Sequence, residues 1–190
     1  ELSSYQLDLI DHAAFDIAVL LNISPDHLDR HGNMDSYIAA KKRIFRRQSK
    51  EQRDQVAIIG VEDDASCAVR NEVVGLAGWS VISIANQQSP PPSIYVEQGI
   101  IFDATNGTVQ TVCDITEICT LQGKHNSQNA AAAYGVARSL GLKTSDGQAI
   151  LSGGIILKQR GTKYHAGRNV KRSNDDSLFA TSNGTVRFSK

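Results

Sequence analysis

The stretch Phe15-Asp16-Ile17-Ala18-Val19-Leu20-Leu21-Asn22-Ile23 decides the fold. It is a nearly continuous apolar run, too short for a good helix and rich in Ile, Val and Leu. That is the pattern of a strand buried on both faces in a parallel sheet. Ser24-Pro25 follows, and Ser at N-cap with Pro at the first helical position starts a helix. The sequence therefore predicts a short helical turn over Asp26 to Asp29, then a loop through His31-Gly32-Asn33. Ser36 to Lys50 predicts a longer helix. At about 100° per residue, Tyr37, Lys41, Ile44 and Phe45 share one face, and Lys42, Arg43, Arg46 and Arg47 the other. Lys41 is the lysine of this helix that its periodicity turns inward.

The alternation continues. Val56 to Val61 reads as a second buried strand, Ala65 to Val73 as a helix and Trp79 to Ile84 as a third strand. Gln87 to Pro92 is a loop whose prolines cannot donate to a ladder. From Ile94 to Ile115 the pattern switches to period two, with Asn106-Gly107 expected as a type I′ hairpin turn. His125 to Leu140 is an Ala-rich helix stopped at Gly141. The expected class is α/β, a mostly parallel sheet flanked by helices with an appended antiparallel β-meander. After Gly153 the character changes: residues 158–190 carry eight Lys and Arg and one acidic doublet, with little apolar periodicity. The expected organisation is a domain over residues 1–153 and an atypical tail over 154–190, disordered or read in a shifted frame.

Composition narrows the function. The chain has 190 residues, with 20 Lys and Arg against 20 Asp and Glu. A formal net charge of zero gives no global electrostatic case for nucleic acid or an anionic membrane. No stretch approaches the run of roughly 20 apolar residues that spans a bilayer. Cys67, Cys113 and Cys119 are odd in number and stand in no metal-ligand spacing, which favours reduced thiols in a cytoplasm. No Gly-x-x-x-x-Gly-Lys-Ser/Thr phosphate loop occurs. The only methionine is Met34 and the chain opens on Glu1, so a fragment of something longer is expected.

Four clusters carry chemistry, each with a plainer alternative. Glu1-Leu2-Ser3-Ser4 would present a carboxylate and hydroxyls at a strand's carboxyl end, where open α/β sheets bind ligands; a terminal Glu and two serines are more often a solvated helix cap. Asn22 to His31 holds Pro25, Asp26, His27, Leu28, Asp29 and Arg30. A neutral imidazole among carboxylates suits a divalent metal or a general base, and Asp26 and Asp29 alternatively favour a helix N-terminus. An inward Lys41 must pair its charge, on a phosphate or carboxylate for instance, or snorkel to the surface. In Gly123-Lys124-His125-Asn126-x-x-Asn129, the two amides three residues apart project from one flank of a first helical turn, able to read a base edge or to cap.

In this order the clusters resemble the ATP-dependent Mur ligases of peptidoglycan synthesis. Glu1-Leu2-Ser3-Ser4-Tyr5-Gln6-Leu7 is similar to the motif of the branch that adds D-glutamate, and Asn22 to His31, Tyr37 to Lys41 and Gly123 to Ala130 match the next three blocks. The resemblance covers Glu1 to about Gly153 and implies the family's central ATP-binding domain. It implies one Mg2+ held by Glu1 at the ATP phosphates and a second held by His27 and a carbamylated Lys41, adenine contacts from Asn126 and Asn129, and Ser3 facing the muramoyl-alanine end of the substrate. It further implies UDP-N-acetylmuramoyl-L-alanine and D-glutamate as substrates, joined through an acyl phosphate. The expected state is a cytoplasmic monomer with no nucleic-acid or membrane partner, inactive as a fragment. Asn174 to Asn183 is a faint, out-of-step echo of the family's later Asn-Asp-Ser-Lys-Ala-Thr-Asn block. Two alternatives stand beside this reading: a non-catalytic remnant with at most weak nucleotide binding, and a metal hydrolase using His27, Asp29 and His31.

Overall fold

The computed structural model describes residues 2–46, 55–121, 123–141, 144 and 146–189. The chain forms two compact units, Glu1–Gly135 and Val136–Lys190.

The first unit is built on a six-stranded sheet in the order β1 (Ile17–Leu20), β2 (Gln55–Gly60), β3 (Trp79–Ala85), β4 (Ser93–Glu97), β5 (Ile100–Asp103), β6 (Gln110–Asp114). The first four strands run parallel, and β4, β5 and β6 pair antiparallel. Ile58 and Ile59 are both fully buried although adjacent side chains of a strand point to opposite faces, so β2 is covered on both sides. Burying each contributes roughly 1.5–3 kcal/mol. On one face, Ala57 and Ile59 pack with Tyr37 and Phe45 and with Val69 and Val73. These four come from α3 (Met34–Lys42), the 3₁₀ turn Arg43–Phe45, and α4 (Asp64–Val74). On the other face lies α5 (Lys124–Ser139). A Cβ on its Gly135 would meet Ile58 and Ile94 at 3.2 Å, and Ala131 and Ala132 continue the same small-residue stripe.

The expected α/β class with its meander is present, with instructive differences. The helix expected from Ser36 starts at Met34, because the Asn33 side chain accepts from the Ser36 N–H at 2.8 Å and caps it. It tightens to 3₁₀ at Arg43; residues 47–50 of the expected helix lie outside the described residues. Arg43, placed by periodicity on the outer face, turns instead to α1 (Ser4–Leu9). Its guanidinium donates to the carbonyls of Leu7, Asp8 and Ile10 at 2.7–3.2 Å and to Asp11 Oδ1 at 3.0 Å. That satisfies acceptors which a helix end leaves open.

The type I′ turn falls elsewhere. Gln98 and Gly99 both have positive φ (50° and 77°) and join β4 to β5 directly, with Glu97 paired to Ile100. Asn106 is not left-handed; at that bend the Gly107 N–H donates to the Ala104 carbonyl at 3.3 Å.

One contact ties the carboxyl ends of the strands to α5. Gln128, only 4% exposed, donates Nε2 to the carbonyl of Leu21, just beyond β1, at 2.9 Å. Gly60, the last residue of β2, lies beneath: a Cβ there would stand 1.8 Å from the Leu21 oxygen and 2.6 Å from Gln128 Nε2. Asp63 holds the same segment from the other side. Its Oδ2 accepts from the Ile23 N–H at 3.2 Å while Oδ1 accepts from Ser66 N–H at 2.7 Å and caps α4.

Residues 154–190, expected as an atypical tail that is disordered or read in a shifted frame, fall within the second unit. It contains a three-stranded antiparallel sheet, β8 (Ile155–Leu157), β10 (Leu178–Ala180) and β9 (Val170–Arg172), and a two-stranded one, β7 (Ala149–Ile150) with β11 (Gly184–Thr185). Ile156, Leu157, Leu178, Ala180 and Val186 form its core. The division between the two compact units falls inside α5, at Val136. Strands of two and three residues are too short to show a period, which is why the segment reads as structureless. Among the described residues no helix is long and apolar enough to cross a membrane.

Within this unit the Asp175 carboxylate accepts from the hydroxyl of Ser173 and from the N–H (3.1 Å) and hydroxyl (3.0 Å) of Ser177. These bonds, the Ser173 hydroxyl foremost, hold its carboxyl below the usual carboxylate pKa. A depressed folded-state pKa gives stability that is present above the unfolded value and lost as pH falls through the folded one. The protection of the Ser177 amide against hydrogen exchange, corrected for intrinsic rate, is therefore expected to hold at neutral pH and to collapse on acidification below the usual carboxylate range. Asp175→Asn should remove that transition; an unchanged acid profile in the variant would contradict the assignment.

Candidate functional site

The site grows from the loop after β1. Leu21 and Ile23 are pinned by Gln128 and Asp63, and the chain then runs through Ser24-Pro25 to His27. Ser24-Pro25 does not start the helix. The short α2 (Leu28–His31) begins after His27, which takes a left-handed conformation (φ 52°, ψ 31°). The His27 N–H donates to Asp26 Oδ1 at 2.8 Å, and its Nε2 lies 3.2 Å from Asp26 Oδ2. Both side chains are exposed (44% and 61%), so the imidazole is presented to solvent with a carboxylate at its side.

Ser3 is the N-cap of α1. Its Oγ accepts from the Gln6 N–H at 3.2 Å, and Gln6 Oε1 accepts from the Ser3 N–H at 2.8 Å, a full capping box. The plainer reading of Ser3 thus holds in the structure, although its hydroxyl proton stays available to donate. Glu1 lies outside the described residues.

Lys41 is half-buried, not enclosed; the buried residues of α3 are Tyr37 and Ala40. Its Nζ stands over the Tyr37 ring, 5.3 Å from the centroid. From there a row of rings leads back to His27. Tyr37 and His31 centroids are 5.4 Å apart, His31 and Tyr5 5.8 Å, and Tyr5 and His27 4.9 Å. The Arg30 guanidinium covers Tyr5 at 4.4 Å. The structure thereby links His27 to Lys41 through side chains of α1, α2 and α3. Tyr5 and Arg30 had no signal of their own in the sequence; only their place inside the two clusters marked them.

Asn126 is half-buried and Asn129 exposed in the first turns of α5, while Gln128 between them is the buried amide. A cavity of about 390 Å³ opens beside the same helix start, lined by Asn86, Gln98, Thr116, Lys124 and Ser127 with Val96 and not by Asn126 or Asn129.

Among the described residues no three His, Cys, Asp or Glu side chains converge to hold a metal ion. The hydrolase alternative loses its ligand set, since His31 Nε2 is engaged by Ser4 Oγ at 3.0 Å. The donors present do suit a different arrangement. Mg2+ is held by one or two carboxylates and completes its shell with phosphate oxygens and water, and the exposed Asp26 carboxylate beside His27 is a ligand of that type.

Comparison with known proteins agrees with this architecture. Residues 1–137 match the Mur ligase middle domain and residues 122–190 match the Ribosomal L27 protein family. The latter match includes the Asn174 to Asn183 segment that reads as a distorted ligase block. The UDP-N-acetylmuramoylalanine–D-glutamate ligase of Caulobacter vibrioides (strain NA1000 / CB15N) is 47% identical over 146 residues, covering 77% of this chain and 30% of the enzyme. That of Rhodospirillum rubrum is 45% identical over 142 residues, covering 75% and 29%. The chain therefore spans about three-tenths of the length of these curated relatives. A crystal structure of MurF from Acinetobacter baumannii aligns at TM-score 0.47 and 22% identity over 73% of this chain and 28% of that one, too loosely to carry an argument. With its parallel sheet, its α5 stripe and a family match over residues 1–137, the chain belongs to the Mur ligase family.

Proposed function

We propose that Glu1–Gly135 is the nucleotide-handling part of an ATP-dependent ligase that joins D-glutamate to UDP-N-acetylmuramoyl-L-alanine in the cytoplasm. The observation that carries this reading is the 47% identity to an enzyme of that name across 146 residues. The exposed His27 and half-buried Lys41 at the two ends of one ring row support it.

In this reading the substrate carboxylate attacks the γ-phosphate of ATP, the bond to the β–γ bridging oxygen breaks, and ADP leaves an acyl phosphate behind. The D-glutamate amine then attacks the acyl carbon, and phosphate and the amine's proton depart as the amide forms. Glu1 would hold one Mg2+ at the ATP phosphates, and His27 with a carbamylated Lys41 a second. Bound there, the two ions would neutralise phosphate charge and so ease the approach of one anion to another. Carbamylation converts the Lys41 cation into an anion, which suits a metal site better than an ammonium does. Ser3 can donate its hydroxyl proton to the substrate while still accepting from Gln6. The carboxamides of Asn126 and Asn129 carry the donor and acceptor pair that an adenine edge requires.

The chain contains no phosphate-loop pattern, so it is expected to bind Mg-ATP without releasing phosphate when given both substrates. Titration calorimetry should find Mg-ATP binding that weakens about tenfold for each of Asn126→Ala and Asn129→Ala, or about 1.4 kcal/mol. Absence of binding in the unaltered chain, or binding that ignores both changes, would sink the reading.

A separate observation favours a second activity in Val136–Lys190. Residues 136–190 hold ten Lys and Arg against three Asp, whereas residues 1–135 hold ten against seventeen acidic groups. The neutral total conceals that separation. With the match to Ribosomal L27 protein, it supports an RNA-facing role for the second unit. Filter binding of a structured RNA should show affinity that falls steeply as salt rises and drops about fivefold or more for the triple change Arg168→Ala, Lys171→Ala, Arg172→Ala. Salt-independent binding, or none, would exclude this role.

A further inference from the structure

The His31 side chain is enclosed, 5% exposed, and the proposed reaction gives it nothing to do. Yet it occupies the middle of the ring row. Its Nε2 lies 3.0 Å from the Oγ of Ser4, a residue only 3% exposed, and its Nδ1 lies 3.9 Å from Asp8 Oδ2. Both partners belong to α1. On its two sides are Tyr5, from α1, and Tyr37, from α3, and His31 itself ends α2. One imidazole therefore joins three short elements, of six, four and nine residues, none long enough to be stable alone.

We propose that His31 is the positioning residue of this site: it fixes Tyr5 against His27 on one side and Tyr37 beneath Lys41 on the other, so that the two chemistry-bearing side chains keep a set relation. The effect runs through packing and the hydrogen bond to Ser4; His31 touches no ligand. A buried polar pair also resists substitution by shape alone, because removing the imidazole nitrogen leaves the Ser4 hydroxyl buried without its partner. Groups that orient ligands from behind typically change metal affinity by about 10–100-fold when lost. Only the affinity part of the test below rests on the ligase reading.

The experiment compares the full chain with His31→Phe, which keeps ring volume but not the bond, and His31→Gln, which restores a polar group toward Ser4. Melting temperature, the Tyr5–His27 and Tyr37–Lys41 nuclear Overhauser contacts, and Mg-ATP affinity are read for each. His31→Phe is expected to stay folded, to lose at least half of both contact intensities and to bind Mg-ATP about tenfold more weakly. His31→Gln is expected to recover most of both at the same melting temperature, a rescue that bulk stabilisation would not give. A folded His31→Phe with unaltered contacts and affinity overturns the proposal, as does a His31→Gln variant no better than His31→Phe. If His31→Phe does not fold, Ser4→Ala takes its place with the same two expected losses, and their absence overturns the proposal. If the unaltered chain binds no nucleotide, the ligase reading falls, and the two ring contacts alone decide the role of His31.

Discussion

The Gln128 amide bonded to the Leu21 carbonyl, over a glycine at position 60, is the constraint around which the first unit is arranged. The carbonyl beyond the last ladder residue of a buried strand must find a donor, and none of its neighbours in sequence supplies one. Gln128 does so from 107 residues away, and only a residue without a Cβ leaves room at Gly60. The bond sets α5 on the sheet, where Ala131, Ala132 and Gly135 let the helix approach Ile58 and Ile94 closely. It also fixes where the chain leaves β1, and with Asp63 it decides how the loop to His27 sets out.

Beyond that loop the architecture is held by small, local devices. Arg43 closes the open end of α1, Ser3 and Gln6 cap its start, and Lys42 pairs with Glu72 between α3 and α4. The latter is a surface pair and contributes little stability by itself. The capping box orders α1 itself, and the two longer contacts join the α3 end to α1 and α3 to α4, so the elements that carry Tyr5 and Lys41 are linked to each other and to α4. The candidate site residues His27 and Lys41 thus stand at and on short helices, and the sheet supplies the frame.

Much of the fold was legible because its central strands are continuous apolar runs. β1, β2 and β3, the helix α4 and the long α5 with its Gly141 stop fall close to their expected places. The misses have physical causes. A left-handed Gln98 carries no turn signal, whereas Asn106-Gly107 carries a strong one that the chain does not use. The second unit was invisible since strands of two or three residues cannot display alternation, and its family match joins a separate family onto the first. Among site residues, His27 and Lys41 could be picked out by their chemistry. Gln128 could not, because its role depends on a contact across most of the chain, and the ring row through His31 exists only once three helices have converged.

The most direct test of this account is native-state hydrogen exchange on Gln128→Leu. Losing the amide takes from the part-buried Leu21 carbonyl its Gln128 donor, at a cost of about 1 kcal/mol. The Ile23 amide, whose bond to Asp63 depends on the path of that segment, should lose protection by tenfold or more. The amides of Phe102 in the meander and Leu178 in the basic unit should keep theirs. Protection at Ile23 equal to that of the unaltered chain, or an equal loss across both units, would contradict the claim that this one bond sets the path of the chain after β1.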